Sequence, residues 1–121
     1  MNNNGRPISV TIVAWLYIAV GVIGFIGHLI EFMRRHDIYV DTIEVEAVEL
    51  VAIVSGIFLL RGRNWARRLA IAWIVFHVVV SAFDALPKLL AHAVFGILIA
   101  WALFHRRASE YFVRRAPTAV Q

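Results

Sequence analysis

Four apolar segments, each about as long as a membrane-spanning helix, occupy most of this 121-residue chain. They cover residues 8–31, 43–60, 67–86 and 88–105. A helix needs about 20 apolar residues to cross the hydrocarbon core of a bilayer, and about 17–25 are tolerated. Hydrophobic residues make up 61% of the chain, compared with about 45–50% in soluble domains. The sequence therefore predicts one all-α integral membrane domain covering residues 1–121.

Cysteine is absent from the sequence. The chain therefore has no disulfide, no thiol redox chemistry and no thiolate metal ligand. The four segments also leave no length for a separate soluble domain, and no motif for a catalytic nucleophile is present. An enzymatic activity is therefore not favoured.

Basic residues are distributed unevenly between the connections. Nine arginines precede the first segment, separate the second from the third or follow the fourth, whereas Arg34, Arg35 and Lys88 lie on the other side. Because Lys and Arg concentrate on cytoplasmic loops, this bias predicts that both termini are cytoplasmic, in a bacterial inner membrane. The net charge of +4 is then explained by topology and anionic lipid, not by nucleic acid. The arginines expected to contact lipid headgroups are Arg61, Arg63, Arg67, Arg68, Arg106 and Arg107.

The connections between the segments are short, and this predicts an up-down four-helix bundle of antiparallel neighbours. Pro7 and Pro87 each suit the first turn of a helix, where a missing N–H costs nothing. The tail from Arg106 to Arg115 alternates arginines with Tyr111 and Phe112, as a helical turn lying in the membrane interface would.

Small residues recur at helical spacing in three of the segments. Such residues allow close approach of helix backbones in lipid, so they predict faces for helix packing and for self-association. The residues are Gly21, Gly24, Gly27, Ala52, Gly56, Gly96 and Ala100.

Ionisable residues lie on these same faces, near the end of the bundle opposite the arginines. Charged groups inside a membrane are costly, so they face the interior and pair with one another. The candidate metal ligands are His28, Glu49, His77 and His92. The other members of the expected polar network are Glu31, Glu46, Ser81 and Asp84.

This pattern is consistent with several kinds of site. Imidazoles and a carboxylate suit zinc or a similar ion. A chain of His, Glu and Asp could instead move protons, and His28 and His92 could hold haem between them. A structural interpretation is equally open: His28 and His92 as hydrogen-bonded contacts between helices, a Glu49–His77 pair that sets helix register, and Trp73 as packing alone.

Three short motifs accompany the topology: Arg6-Pro7 before the first segment, Gly62-Arg63-Asn64-Trp65-Ala66-Arg67 before the third, and Tyr111-Phe112 after the fourth. In these motifs, and over nearly its whole length, the chain resembles small four-span bacterial inner-membrane proteins that carry a domain of unknown function. The resemblance implies a topology and neither an activity nor functional residues.

The leading functional hypothesis is a non-enzymatic membrane protein that acts as a self-associating or accessory subunit. Its expected partners are the lipid bilayer and a second copy of the chain or another membrane protein. The alternative hypothesis is a small protein that handles ions, protons or a metal through the His/Glu cluster. The identity of any cofactor is left open: neither hypothesis requires one, and a metal ion is possible.

Overall fold

The computed structural model of the protein describes residues 5–35 and 40–116, with their side chains except those of residues 40–42. Nearly all of this part is helical, and no strand is found in it. The predicted all-α fold is therefore confirmed. The helices are α1 (Ile8–Arg35), α2 (Val40–Leu60), α3 (Asn64–Ala82), α4 (Leu86–Phe104) and α5 (Arg106–Arg114).

Three helices within the described ranges, α1, α3 and α4, are long and apolar enough to cross a membrane. They indicate a membrane protein. The sequence predicts four such segments, and α2 is the one that does not qualify. It carries Glu44, Glu46 and Glu49 in its first half. Its uncharged stretch, 50–60, is shorter than the roughly 20 residues that a span needs.

Helices α1 and α2 pack closely and antiparallel, with glycines at the contacts. A Cβ atom at Gly21 would lie 2.8 Å from the Glu49 carbonyl oxygen, and one at Gly56 would lie 2.5 Å from the Ala14 carbonyl oxygen. A Cβ at Gly24 would lie 2.5 Å from Cδ of Glu49. At Gly21 and Gly56 the two backbones approach within the space that a side chain would fill, whereas at Gly24 that space is taken by the carboxyl group of Glu49.

Helix α3 presents one buried face to its neighbours. Ala66, Ala70, Ile74 and Ser81 are buried on it, and their spacing of four and seven residues keeps them on one side of the helix. The hydroxyl of Tyr17 on α1 donates a 2.6 Å hydrogen bond to the carbonyl oxygen of Ala70. This bond joins α1 to α3.

The turn between α2 and α3 is set by a glycine. Gly62 has φ +71°, a left-handed conformation that is strained for residues with a side chain. Its N–H donates to the carbonyl oxygen of Leu59 (3.0 Å), and the N–H of Arg63 donates to that of Phe58 (3.0 Å). This pair of bonds is the Schellman motif, which ends a helix while satisfying its last carbonyl groups.

Helix α3 begins and ends earlier than the predicted segment 67–86. It ends at Ala82, and the N–H groups of Phe83 and Asp84 bond back to Val80 and Ser81. Pro87 stands in the first turn of α4, where it needs no N–H. The chain therefore turns over residues 83–85.

Helix α5 packs against the other helices, whereas a helical turn lying in the membrane interface would be separate from them. Its residues Ala108, Tyr111 and Phe112 are buried, and the hydroxyl of Tyr111 donates to the carbonyl oxygen of Leu60 (3.1 Å). Its apolar side is thus covered by the protein.

The helices meet at two ends, which we name by their side chains. The arginine end joins the start of α1, the end of α2, the start of α3, the end of α4 and α5. It is defined by the bonds from Arg6 to Leu60 and from Arg67 to Leu103. The histidine end is defined by the bond between Ser81 near the end of α3 and His92 on α4.

Candidate functional site

His77 on α3 is held by the residue one helical turn before it. Its Nδ1 lies 2.9 Å from the carbonyl oxygen of Trp73. A carbonyl oxygen only accepts hydrogen bonds, so Nδ1 carries the hydrogen and Nε2 of the neutral ring is left with a free lone pair. The imidazole also lies over the Trp73 indole, with ring centroids 3.9 Å apart. Both contacts restrict the ring to one orientation.

His92 on α4 is positioned by Ser81. The Ser81 hydroxyl oxygen and Nδ1 of His92 are 2.6 Å apart and share a hydrogen bond. Ser81 is 5% exposed, and it lies one turn after His77 on the same face of α3. The bond therefore fixes the second imidazole beside the first and leaves its Nε2 for another partner.

The two imidazoles are close but not directly bonded. Their ring centroids are 5.8 Å apart. A ring nitrogen lies about 1.2 Å from its centroid, so an N–H···N hydrogen bond of at most about 3.2 Å would keep the centroids within about 5.6 Å. Two zinc–nitrogen bonds of about 2.0–2.1 Å place the centroids about 5.4 Å apart at the tetrahedral angle, and up to about 6.6 Å apart if the angle at the metal opens fully. The spacing therefore suits an ion shared between the rings.

The surroundings of the two rings match those of metal-binding histidines in other proteins. A ligating imidazole usually donates its second N–H to a backbone carbonyl or another oxygen, which fixes its orientation and raises its basicity. Trp73 supplies that oxygen to His77, and Ser81 can supply it to His92. We call these four residues the histidine pair site.

A second polar group lies between α1 and α2. Glu49 is 9% exposed, and its carboxyl group lies against Gly24. Its Oε2, together with both carboxyl oxygens of Glu46, is buried without a hydrogen-bond partner among the described residues. His28 on α1 interacts electrostatically with Glu49. Buried carboxyl groups of this kind are costly unless they are protonated or meet a cation.

The four predicted metal ligands do not form one site. In residues 5–35 and 43–116, no three His, Asp or Glu side chains come close enough to hold a metal ion. Glu49 lies in the α1–α2 contact and His28 is exposed on α1, whereas His77 and His92 belong to the α3–α4 contact. Among the described residues, no hydrogen bond or ring contact joins Glu49 to His77, or His28 to His92. Neither the register pair nor a haem held by His28 and His92 is therefore supported. The physical reason is helix rotation: Glu49 faces α1, away from the histidines.

The remaining residues of the predicted network lie at the surface. Glu31 pairs with Arg34 (3.9 Å) and Arg35 (2.5 Å) on its own helix. Asp84 pairs with Lys88 across the turn into α4. Exposed ion pairs like these contribute at most about 1 kcal/mol. They complete local structure and are not part of either buried site.

The small residues lie largely at contacts within the chain. Gly21, Gly24 and Gly56 lie between α1 and α2, and Ala52 is fully buried. The remaining three are less enclosed: a Cβ at Gly96 would meet Ile74 at 3.6 Å, a Cβ at Gly27 would meet nothing within 4 Å, and Ala100 is half-buried.

Arg67 differs from the other arginines expected at lipid headgroups. Its guanidinium carbon lies 4.6 Å from the Phe104 ring centroid and 4.9 Å from that of Phe112. It also donates to the Leu103 carbonyl oxygen (3.4 Å) and the Ser109 hydroxyl (3.3 Å). Arg67 therefore joins α3, α4 and α5 in place of contacting headgroups. The other five, Arg61, Arg63, Arg68, Arg106 and Arg107, are exposed.

Sequence reasoning missed the part played by Trp73. Beyond packing, its indole N–H donates to the carbonyl oxygen of Val48 on α2 (2.8 Å), and its ring lies 5.1 Å from that of Tyr17 and 3.9 Å from that of His77. Its position four residues before His77 was the available signal, because residues at that spacing share a helix face.

The fold and the site together define a helical membrane protein with two imidazoles held side by side between two of its helices. The chain matches no protein-family model, no curated protein and no solved structure. Its function is therefore inferred from its own residues.

Proposed function

We propose that the protein is a four-helix inner-membrane protein that binds and releases a transition-metal cation between His77 and His92. The observation that carries this proposal is the 5.8 Å separation of the two rings, with each Nδ1 engaged by a neighbouring oxygen. A chain of this type resembles, by its topology, small four-span bacterial proteins, and the proposed activity is non-enzymatic.

A site with only two protein ligands favours reversible binding of the cation over permanent binding. Structural zinc sites have four protein ligands, whereas sites with fewer keep open positions for water or another molecule. Two imidazoles leave at least two such positions. The cation would therefore be held weakly enough to leave.

Charge distribution supports the same function. Glu44, Glu46 and Glu49 begin α2 at the histidine end, while the arginines concentrate at the other end. Negative charge around an entry region raises the local concentration of cations. Glu44, which is exposed at the start of α2, would thus attract a cation towards the histidine end, whereas Glu46 and Glu49 are enclosed by protein.

Self-association has less support from the structure than the small residues suggested. Three of the glycines lie in the contact between α1 and α2 of one chain. They are therefore accounted for without a second copy, and the proposal rests on the single chain.

The membrane arrangement that we propose is an up-down bundle with the arginine end in the cytoplasm. The positive-inside bias supports this orientation. Trp65 and Trp101 are exposed near the arginine end, where aromatic rings favour the membrane interface. Helix α2 is not apolar enough to be a span by its sequence alone. We propose that it crosses with the others because it packs antiparallel to α1 and the carboxyl groups at positions 46 and 49 are enclosed by protein and so need not face lipid.

Cysteine labelling tests this orientation without background, because the chain contains no cysteine. Lys88→Cys at the histidine end should react with a membrane-impermeant maleimide in intact spheroplasts. Ala116→Cys should react only after the membrane is permeabilised. The reverse pattern would overturn the proposed orientation.

Zinc titration of protein in lipid nanodiscs, followed with a competing chelator dye, tests the cation site. One Zn²⁺ should bind per chain, and His77→Ala or His92→Ala should each weaken binding at least about tenfold, as is typical when a ligand or its orienting group is lost. His105→Ala is a matched control, because His105 likewise contacts its own helix carbonyls and stacks on a tryptophan, Trp101. Absence of binding, or an equal loss in the control, would contradict the proposal.

A further inference from the structure

A cleft of about 680 Å³ opens at the arginine end, between the start of α1 and helix α5. Residues 5–9 form one wall, and side chains of α5 form the other. We call it the arginine cleft. It lies at the end opposite the histidine pair site and shares no residue with it.

The charged side chains of this cleft are strongly unbalanced. Four arginines line it against one carboxylate, Glu110. Glu110 is 3.2 Å from Arg106 and forms an ion pair with it. The arginines of the cleft are Arg6, Arg107, Arg114 and Arg115.

Arg6 is fixed in place by neutral groups. It donates to the hydroxyl of Thr11 (2.9 Å) and to the carbonyl oxygen of Leu60 (3.0 Å). Neither acceptor carries a net charge, so the positive charge of Arg6 is positioned without being neutralised. Arg107 is exposed and forms no ion pair with a described residue.

The wall formed by α1 adds hydrogen-bond donors. The first backbone bond within this helix runs from Thr11 to Pro7, so the N–H groups of residues 8–10 have no partner in the helix. Ser9 also lines the cleft, but its hydroxyl oxygen is covered by protein and does not face the open space. Helix N-termini and arginines together favour a phosphate group.

We propose that the arginine cleft binds a phosphate group, carried either by an anionic lipid headgroup or by a free phosphate compound. The volume is in the range of small-molecule sites, about 300–1,000 Å³, and would admit a phosphate with its glycerol. The proposal stands on the cleft itself and not on the metal site.

Binding of short-chain probes to purified protein in detergent, followed by tryptophan fluorescence at fixed ionic strength, tests the proposal. The probes are dihexanoyl phosphatidylglycerol, dihexanoyl phosphatidylcholine, glycerol phosphate and inorganic phosphate. We expect an anionic probe to bind at least about tenfold more tightly than phosphatidylcholine. Arg107→Gln should weaken that binding about ten- to a hundredfold, the range for a hydrogen bond to a charged group. Arg107→Lys should restore part of it.

Arg68→Gln is the matched control, because Arg68 is an exposed arginine outside the cleft. Selective binding of phosphatidylglycerol alone would identify a lipid headgroup, and binding of glycerol phosphate or inorganic phosphate with the same dependence on Arg107 would identify a soluble ligand. Equal binding of all probes, or equal losses in Arg107→Gln and Arg68→Gln, would overturn the proposal. Arg107→Gln should unfold at the wild-type temperature without probe, because no described contact is lost.

Discussion

Gly24 on α1 faces the carboxyl group of Glu49 on α2 so closely that a Cβ atom at residue 24 would lie 2.5 Å from Cδ of the glutamate. The absence of a side chain on one helix thus makes the space in which the acid of the next is buried. The same contact explains why Glu49 points towards α1 and away from the histidines of α3 and α4.

The glycines of this contact should differ in their tolerance of alanine. At Gly56 the new Cβ would meet the backbone oxygen of Ala14 at 2.5 Å, and backbone cannot move aside without shifting a helix. Gly56→Ala should therefore lower the free energy of unfolding by about 1–3 kcal/mol. Gly24→Ala should cost less, because the obstructing carboxyl group ends a flexible side chain. Gly27→Ala, in open space, should cost nothing. Unfolding in mixed micelles with increasing dodecyl sulfate measures the free energy of unfolding of each variant. An equal loss at all three positions would contradict the predicted order.

Gly62→Ala should destabilise the arginine end. A side chain is strained at φ +71°, and its Cβ would lie 2.9 Å from Cγ of Arg115 and 3.1 Å from Cζ of Tyr111. We expect a loss of at least about 1 kcal/mol, more than glycine's ordinary flexibility would regain. Thermal unfolding measures it, with Gly5→Ala as a control that meets no atom within 4 Å.

Tyr17→Phe should remove the bond to the Ala70 carbonyl oxygen and leave the ring on Trp73. Hydrogen bonds between membrane helices contribute about 0.6 kcal/mol on average and up to about 1.7 kcal/mol. The loss of unfolding free energy should fall in that range, while Tyr17→Leu, which also removes the ring contact, should lose more. If the two variants were equally stable, the ring contact would be of no consequence.

Arg67→Lys should loosen α5. Lysine keeps the charge but lacks the planar group that lies between Phe104 and Phe112. Each such contact is worth about 0.5–2 kcal/mol, so amide hydrogen exchange in α5 should accelerate roughly tenfold. The neighbouring Arg68→Lys should leave exchange unchanged, because Arg68 is exposed. Equal rates in both variants would show that Arg67 does not hold α5.

Ser81→Ala should weaken zinc binding at the histidine pair site by about ten- to a hundredfold, the usual effect of removing a group that orients a metal ligand. Ser55→Ala is the control: Ser55 is also buried, but its hydroxyl bonds the Val51 carbonyl oxygen of its own helix (2.7 Å). Both variants are titrated with Zn²⁺. Weaker binding in Ser81→Ala alone would show that Ser81 orients His92, whereas equal weakening in Ser55→Ala would indicate a general loss of stability.

The amino-acid sequence by itself determined where the helices lie and that the protein is apolar enough for a membrane. Lengths of apolar sequence, Gly62 and Pro87 act locally, so their effects can be read before any helix meets another. The same reasoning counts four apolar spans where three of the described helices are apolar enough, because segment 43–60 includes Glu44, Glu46 and Glu49.

The rotation of each helix was decided only by the tertiary structure. Lipid tails are as apolar as leucine, so a lipid-facing residue and a packed one look alike in sequence. Nothing local therefore shows that Glu49 turns towards Gly24 while His77 turns towards His92, or that Arg67 lies between two phenylalanines. Those partners depend on how closely backbones can approach, which is a property of the helices in contact.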